Sequence, residues 1–101
     1  AKRYIDSNYS QNITLDSLAE ITHINKFYLA HSFTECVGQS PINYLTDRRL
    51  EACKELLVSS NLSVAQVATS VGFSSQSYFS QIFRKKTGMT PRQYRRRYAR
   101  K

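Results

Sequence analysis

Apolar residues recur along the chain at the three- and four-residue spacing that is typical of amphipathic helices. Between residues 64 and 71 they are Val64, Val67, Ala68 and Val71. Ser63 and, three positions later, Gln66 form the pattern of a capping box at the start of this segment, and Gly72 predicts its end. The chain has neither an alternating strand pattern nor an Asn-Gly hairpin turn. The sequence therefore predicts an all-α fold.

The same signals predict helices elsewhere in the chain. A first helix is expected over about residues 1–10, and others begin at the caps Thr14, Asn25, Ser74 or Ser75, and Thr90. A long connecting helix is opened by Ser40-Pro41 and continues to about Val58, with Leu45, Arg49, Cys53 and Leu56 along one side. The inward positions predicted for the short helices are Leu15, Leu18, Ala19, Ile21, Leu29, Phe33, Tyr78, Phe79, Ile82 and Phe83.

Part of the chain occurs twice. The pattern Tyr28-Leu29, Phe33, Gly38, Ser40-Pro41, Tyr44 recurs fifty residues later as Tyr78-Phe79, Phe83, Gly88, Thr90-Pro91, Tyr94. Upstream, Leu18-Ala19 matches Val67-Ala68 at an offset of forty-nine, which predicts one extra residue in the second copy, in the turn around Gly72. The predicted organisation is a first helix-turn-helix subdomain over residues 1–40, a connecting helix over 41–59 and a second subdomain over 60–101.

Two short helices joined by a tight turn are typical of the helix-turn-helix motif, whose second helix enters the major groove of DNA. At 1.5 Å per residue the connecting helix would be a rod of roughly 25 Å. Two recognition helices joined by such a spacer could reach successive major grooves on one face of B-DNA. The duplication therefore favours double-stranded DNA as the partner.

The charge of the chain is concentrated at its C-terminal end. The 101 residues carry a net charge of +8, yet residues 1–55 have six basic and seven acidic side chains, while residues 56–101 have nine basic side chains and no acidic one. Such a block favours a polyanion, either nucleic acid or an anionic membrane surface. A basic RNA-binding module and a membrane-binding helix built on the Arg-rich segment 92–100 stay open as alternatives, although that segment has only a thin apolar face.

The sequence shows no recognisable pattern of catalytic residues. No paired carboxylates, nucleophile-base pattern, phosphate-binding loop or metal-ligand spacing is found, so we expect no enzyme activity, no cofactor and no metal. Cys36 and Cys53 are far apart, which is typical of a reduced cytoplasmic protein. No apolar run approaches the roughly 20 residues of a membrane span. The first residue is not Met, which suggests a fragment.

The segment from Val67 to Arg95 closely resembles the signature of AraC/XylS-type transcription regulators. Within it stand Val67-Ala68, Val71-Gly72-Phe73, Ser77-Tyr78-Phe79-Ser80, Gly88, Thr90-Pro91 and Tyr94. The similarity extends over about residues 4–97. It implies a seven-helix DNA-binding domain with two helix-turn-helix units, part of a cytoplasmic, nucleoid-associated bacterial regulator. It also implies an N-terminal sensor, dimerisation or receiver domain outside this fragment, and RNA polymerase is a further candidate partner.

The resemblance and the exposed positions together predict the DNA-contacting residues. The predicted base-contacting residues are Lys26, Phe27, Ala30, His31, Gln76, Ser77, Ser80 and Gln81. The predicted phosphate-contacting residues are Thr14, Ser40, Arg48, Ser63, Arg84, Lys85, Lys86, Thr90 and Arg92. In the first copy, Thr34-Glu35 stands where the family often has a basic pair, so the Arg84-Lys85 pair is expected to grip the phosphates more strongly.

Overall fold

A computed structural model describes residues 2–99, and within that range the chain forms seven α-helices and no strand. The helices are α1 (Lys2–Asn8), α2 (Leu15–Thr22), α3 (Lys26–Val37), α4 (Pro41–Ser59), α5 (Val64–Ser70), α6 (Gln76–Thr87) and α7 (Pro91–Tyr98). The all-α prediction is confirmed. Helix α1 is shorter than the predicted range 1–10. Ala1, which belongs to that range, and Arg100, which belongs to the Arg-rich segment 92–100, lie outside the described part of the chain.

The fold divides into two compact units, Ala1–Arg48 and Arg49–Lys101. The division falls inside α4, so the first eight residues of that helix belong to the first unit and the rest to the second. Each unit contains one pair of short helices joined by a turn, α2 with α3 and α5 with α6. These pairs are the two helix-turn-helix motifs that the sequence repeat predicted.

The first unit is built around a small apolar core. Its buried members come from α1, α2, α3 and α4 and from the residue before the cap of α2: Ile5, Ile13, Leu18, Leu29, Phe33 and Leu45. The ring of Tyr44 meets Phe33 edge-on, with 5.7 Å between the centroids. The Tyr44 hydroxyl donates a hydrogen bond of 2.6 Å to Asp6, which ties α4 to α1.

The second unit repeats this packing with larger aromatic groups. The ring centroid of Phe73, in the turn, lies 5.2 Å from that of Phe79, and the ring centroids of Phe79 and Phe83 are 5.7 Å apart. Tyr94 meets Phe83 edge-on at 5.5 Å, as Tyr44 meets Phe33 fifty residues earlier. Phe73 is buried and fills the turn. Edge-to-face pairs of this kind stabilise a small core beyond the area that they bury.

The predicted helix starts are confirmed by their hydrogen bonds. The side chains of Thr14, Ser63 and Thr90 each accept a hydrogen bond from the backbone N–H three residues later. In all three cases the side chain of that later residue accepts from the backbone N–H of the cap, which completes a capping box. Asn25 and Ser75 cap α3 and α6. A cap of this kind contributes about 1 kcal/mol because it satisfies amide groups that the helix itself leaves without a partner.

The extra residue of the second copy can be placed within its turn. The amide of Ile24 donates to Ala19 and the amide of Phe73 donates to Ala68, which are equivalent bonds at an offset of forty-nine. Asn25 and Ser75, the next caps, are already fifty residues apart. The additional residue is therefore Ser74, two positions beyond Gly72.

Two predicted inward positions are wrong. Ile21 is 48% exposed and Tyr78 is 51% exposed. The cause is helical geometry at about 100° per residue. Ile21 and Tyr78 each lie more than about 100° around the helix from the centre of the buried face, so an apolar residue three positions from a core residue need not share its face.

Candidate nucleic-acid interface

Each helix-turn-helix motif turns through one residue in the left-handed conformation. In the second motif this residue is Gly72, at a φ of 101°, and in the first it is His23, at a φ of 57°. His23 is a non-glycine residue with positive φ, a conformation that costs free energy because Cβ crowds the following carbonyl. The turn ends the first helix of the motif and starts the second, α3 or α6, in a new direction.

The second helices α3 and α6 expose equivalent positions. Along residues 27–44 and 77–94 the buried, half-buried and exposed residues follow in the same order. Leu29 and Phe33 hold α3 to its core, and Phe79 and Phe83 hold α6. Because the same face is buried in both helices, the same opposite face is presented to solvent.

The exposed face of α6 carries uncharged hydrogen-bonding groups. We call Gln76, Ser77, Ser80 and Gln81 the α6 face. At about 100° per residue these positions fall within an arc of about 140°, and the centre of this arc lies about 110° around the helix from the midpoint of Phe79 and Phe83. Ser80 is half-buried and the other three are exposed. Side chains of this kind can both donate to and accept from the edges of bases.

Basic residues follow the α6 face toward the end of the helix. Arg84 and Lys85 are exposed and lie on the same side as Gln81. Lys86 is exposed as well but projects from the other side of the helix, about 140° from Gln81. Of the three predicted phosphate contacts in this run, the structure therefore brings Arg84 and Lys85 together with the α6 face and places Lys86 apart from them.

The equivalent surface of the first unit differs in chemistry. We call Lys26, Phe27, Ala30 and His31 the α3 face. Lys26 Nζ lies 3.3 Å from Asp16 Oδ1, and His31 Nε2 lies 3.1 Å from Glu35 Oε1. Phe27 is 74% exposed. The α3 face thus combines an exposed aromatic ring with side chains that already contact acidic residues of their own unit.

The remaining predicted phosphate contacts occupy two kinds of position. Thr14, Ser40, Ser63 and Thr90 stand at helix starts, where each hydroxyl accepts from a backbone N–H of its own helix. Arg92 is exposed in the first turn of α7. Arg48 is different, because its Nε lies 3.1 Å from Asp6 and its guanidinium lies 5.5 Å from the centre of the Tyr9 ring. The assignment of Arg48 to phosphate stays a prediction.

Sequence reasoning missed two exposed tyrosines beside these faces. Tyr28 is 66% exposed and Tyr78 is 51% exposed, at equivalent positions in α3 and α6. A tyrosine hydroxyl can bind a phosphate oxygen at the edge of a groove. The signal is present in the repeat, since tyrosine recurs at both positions, but the sequence pattern predicts an inward position for Tyr78 and no role for Tyr28.

The two units differ strongly in charge. The first, residues 1–48, has four basic and five acidic side chains, and the second, residues 49–101, has eleven basic and two acidic ones. Within residues 2–99 no helix is long and apolar enough to span a membrane, and no three His, Cys, Asp or Glu side chains are grouped as metal ligands would be.

Comparison with known proteins agrees with this geometry. A family model described as a helix-turn-helix domain matches residues 18–97. The bifunctional transcriptional activator/DNA repair enzyme AdaA of Bacillus subtilis is 35% identical over 92 residues, which cover 91% of this chain and 44% of AdaA. The C-terminal domain of AraT, a response regulator from Geobacillus stearothermophilus, superposes with a TM-score of 0.96 at 38% identity, over 99% of this chain and 84% of that one.

A third similar structure is the DNA-binding domain of AdpA, a global transcriptional factor, solved in complex with a target DNA. It superposes with a TM-score of 0.91 at 25% identity, over 95% of this chain and 86% of that one. The chain belongs to the AraC-type helix-turn-helix domains, the DNA-binding domains of transcription regulators. It spans less than half the length of most of the curated relatives that it matches.

Proposed function

We propose that this chain is the output domain of a bacterial transcription regulator and that it binds specific double-stranded DNA sequences through both α3 and α6, which enter successive major grooves. The observation that supports this most directly is the repeated exposure pattern of residues 27–44 and 77–94. It offers two helices with equivalent solvent-facing surfaces and different side chains. Two such surfaces allow one chain to read two half-sites.

In this proposal the α3 and α6 faces contact bases, and basic groups beside them contact phosphates. The glutamine amides of Gln76 and Gln81 suit adenine, which offers one acceptor and one donor in the major groove. Arg84 and Lys85 follow on the same side of α6, where the helix would leave the groove. Arg92 and the backbone amides at the starts of α2, α4, α5 and α7 would add further phosphate contacts.

The descriptions of two similar proteins indicate how the whole protein acts. AraT is described as a response regulator and AdaA as a transcriptional activator. We propose that this chain likewise acts by binding DNA rather than by catalysis, under the control of a sensor, dimerisation or receiver domain. Contact with RNA polymerase and a location in the cytoplasm, on the nucleoid, complete this proposal.

The test starts from a selection of duplexes that this chain binds from a random pool. Affinity is then measured for the selected duplex, a scrambled duplex, an RNA duplex and anionic vesicles. We expect the selected duplex to bind most tightly. Moving one half-site by five base pairs, about half a turn of B-DNA, should reduce affinity if both helices bind at once. Equal binding of selected and scrambled DNA would contradict the proposal.

Base reading by α6 is tested with Gln81→Ala. We expect a loss of about 1–3 kcal/mol on the selected duplex and a relaxed preference at one base position. Thr69→Ala, which changes an exposed side chain of α5 whose hydroxyl bonds to its own helix, is the matched control. If Gln81→Ala weakens selected and scrambled duplexes equally, Gln81 does not read a base.

A further inference from the structure

The two recognition helices present opposite chemistry at equivalent positions. Gln76, Ser77, Ser80 and Gln81 on the α6 face correspond to Lys26, Phe27, Ala30 and His31 on the α3 face. The two central positions of the α3 face, 27 and 30, therefore carry a phenyl ring and a methyl group where α6 has hydroxyls. At these two positions α3 has no side-chain donor or acceptor for the polar edge of a base.

The Phe27 ring is exposed but it is not isolated. Lys26 Nζ lies 5.5 Å from the centre of this ring, and the same nitrogen lies 3.3 Å from Asp16 Oδ1. Asp16 stands in the first turn of α2, so the ammonium group connects the two helices of the motif through one carboxylate and one ring. A cation held over an aromatic face restricts the conformations that the ring samples.

The major groove offers one apolar group to such a ring, which is the C5-methyl group of thymine. We infer that Phe27, with Ala30, reads a thymine methyl group in the half-site bound by α3, and that Lys26 and Asp16 are positioning residues for the ring. This inference rests on the proposed function and deepens it. It moves Lys26 from base contact to support of Phe27, because its ammonium group already contacts Asp16 and the ring.

The same contact explains how the helix would reject other bases. A phenyl ring placed against the amino group of cytosine or the oxygen of guanine removes water from a polar group without replacing its hydrogen bonds. Thymine loses less because its methyl group is the part that the ring covers. The expected half-site for α3 therefore contains at least one required thymine, whereas the α6 half-site is read through hydrogen bonds.

The half-site under α3 can be located with the chain's own cysteines. Cys36 lies in α3 and is exposed, while Cys53 is buried, and burial raises the pKa of the Cys53 thiol to about 12. A thiol-directed DNA-cleavage reagent should therefore attach to Cys36 alone at neutral pH. Cys36 is the counterpart of Lys86 and projects about 140° from His31, so the reagent leaves the α3 face clear, and its cuts mark the half-site that lies beside α3.

Each thymine in that half-site is then replaced by deoxyuridine, which lacks only the methyl group. At the position that Phe27 reads, we expect the affinity of the unaltered chain to fall about fourfold, the value of one buried methyl group. 5-Methylcytosine at that position should retain more affinity than cytosine. Phe27→Ala should bind the thymine duplex less tightly and should no longer distinguish thymine from deoxyuridine.

Matched variants separate the contact of Phe27 with thymine from the positioning of the Phe27 ring by Asp16. Thr69→Ala, an exposed change outside both faces, should leave the discrimination between thymine and deoxyuridine in the α3 half-site unchanged. Asp16→Asn should reduce this ratio toward one without removing the ring, an effect that general destabilisation of the chain would not produce. Phe27→Leu, which keeps an apolar group, should retain part of the ratio.

The outcomes distinguish this inference from the proposed function. If the unaltered chain binds its selected duplex specifically but shows no thymine preference over deoxyuridine in the α3 half-site, the inference is wrong and the proposed function stands. A thymine preference confined to the α6 half-site, or one that Phe27→Ala keeps, would also overturn it. Failure to select any duplex would remove the proposed function and this inference together.

Discussion

The guanidinium group of Arg95, in α7, donates a hydrogen bond from Nε to the carbonyl oxygen of Leu57, in the last turn of α4, at 2.9 Å. Its Nη2 also donates to the carbonyl of Leu62. The last carbonyl groups of a helix have no partner within the helix, so Arg95 satisfies groups that would otherwise need water. A residue from the basic C-terminal run thus holds the end of α4 and the segment after it.

Arg95→Ala should therefore destabilise the second unit. Hydrogen bonds to a charged group contribute about 1.5–3 kcal/mol each, and we expect a decrease of that size in the free energy of unfolding measured with urea. Arg96→Ala removes the same charge from an exposed neighbouring position and serves as the control. Equal stability of the two variants would show that the Arg95 bonds contribute nothing to the fold.

The turn of the first motif offers a stabilising change. His23 has a φ of 57°, where its counterpart Gly72 has a φ of 101°. Because glycine adopts positive φ without steric cost, His23→Gly should raise the free energy of unfolding by about 0.5–1 kcal/mol. The reciprocal change, Gly72→Ala, should lower it by about 1 kcal/mol or more. Thermal unfolding of both variants checks the pair, and a loss of stability on His23→Gly would mean that its side chain contributes more than its backbone costs.

The buried thiol predicts how stability depends on alkaline pH. Burial raises the pKa of Cys53 from 9.0 to about 12. The folded chain therefore keeps its proton where the unfolded chain has lost it, so this contribution to stability is complete below pH 9 and is lost as the pH rises toward 12. The loss amounts to a few kcal/mol, about 1.4 for each pH unit in that window.

Replacing the thiol separates this effect from the titration of tyrosines. Cys53→Ala should show a shallower decrease in the free energy of unfolding between pH 9 and pH 12 than the unaltered chain. Cys36→Ala, which removes the exposed thiol, should follow the unaltered chain. If both variants give the same slope, the Cys53 thiol does not control alkaline stability.

Alanine substitutions at the equivalent positions 35 and 85 should change non-specific DNA binding in opposite directions. Lys85→Ala should weaken binding to selected and scrambled duplexes alike and reduce the salt dependence, the slope of log affinity against log salt, by about one. Glu35 contacts His31 at 3.1 Å and places a carboxylate where Lys85 stands in the second unit. Glu35→Ala should therefore strengthen binding to both duplexes. An unchanged slope for Lys85→Ala would remove Lys85 from the phosphate contacts.

Much of the fold was accessible from the sequence because its signals are local. Caps such as Thr14 and Ser63 and the fifty-residue offset depend on neighbouring residues, and the structure confirms them. The errors arise where contacts are distant. The sequence shows Arg95 only as a member of the Arg-rich segment 92–100, because its hydrogen-bond partners lie 38 and 33 residues away. Tyr78 is the exception, because the period of α6 alone already places it about 120° around the helix from the centre of the face formed by Phe79 and Phe83.

The chemistry of the candidate interface was less accessible for the same reason. Sequence position placed Lys26 and His31 on the exposed face of α3, which the structure shows as well. Their contacts with Asp16 and Glu35 depend on side-chain conformation and on the angle between α2 and α3. The contact of Lys26 with the Phe27 ring is therefore visible only in the structure.

The excess of cations in the second unit has a consequence for folding as well as for binding. This unit has eleven basic side chains against two acidic ones within some fifty residues, so its excess positive charges repel one another, and such self-repulsion disfavours the compact state when no counterion is near. A polyanion that lies along α6 and α7 would relieve that repulsion. Binding to the phosphate backbone would then also stabilise the folded state of this unit. Its free energy of unfolding would be highest when the domain is bound to DNA.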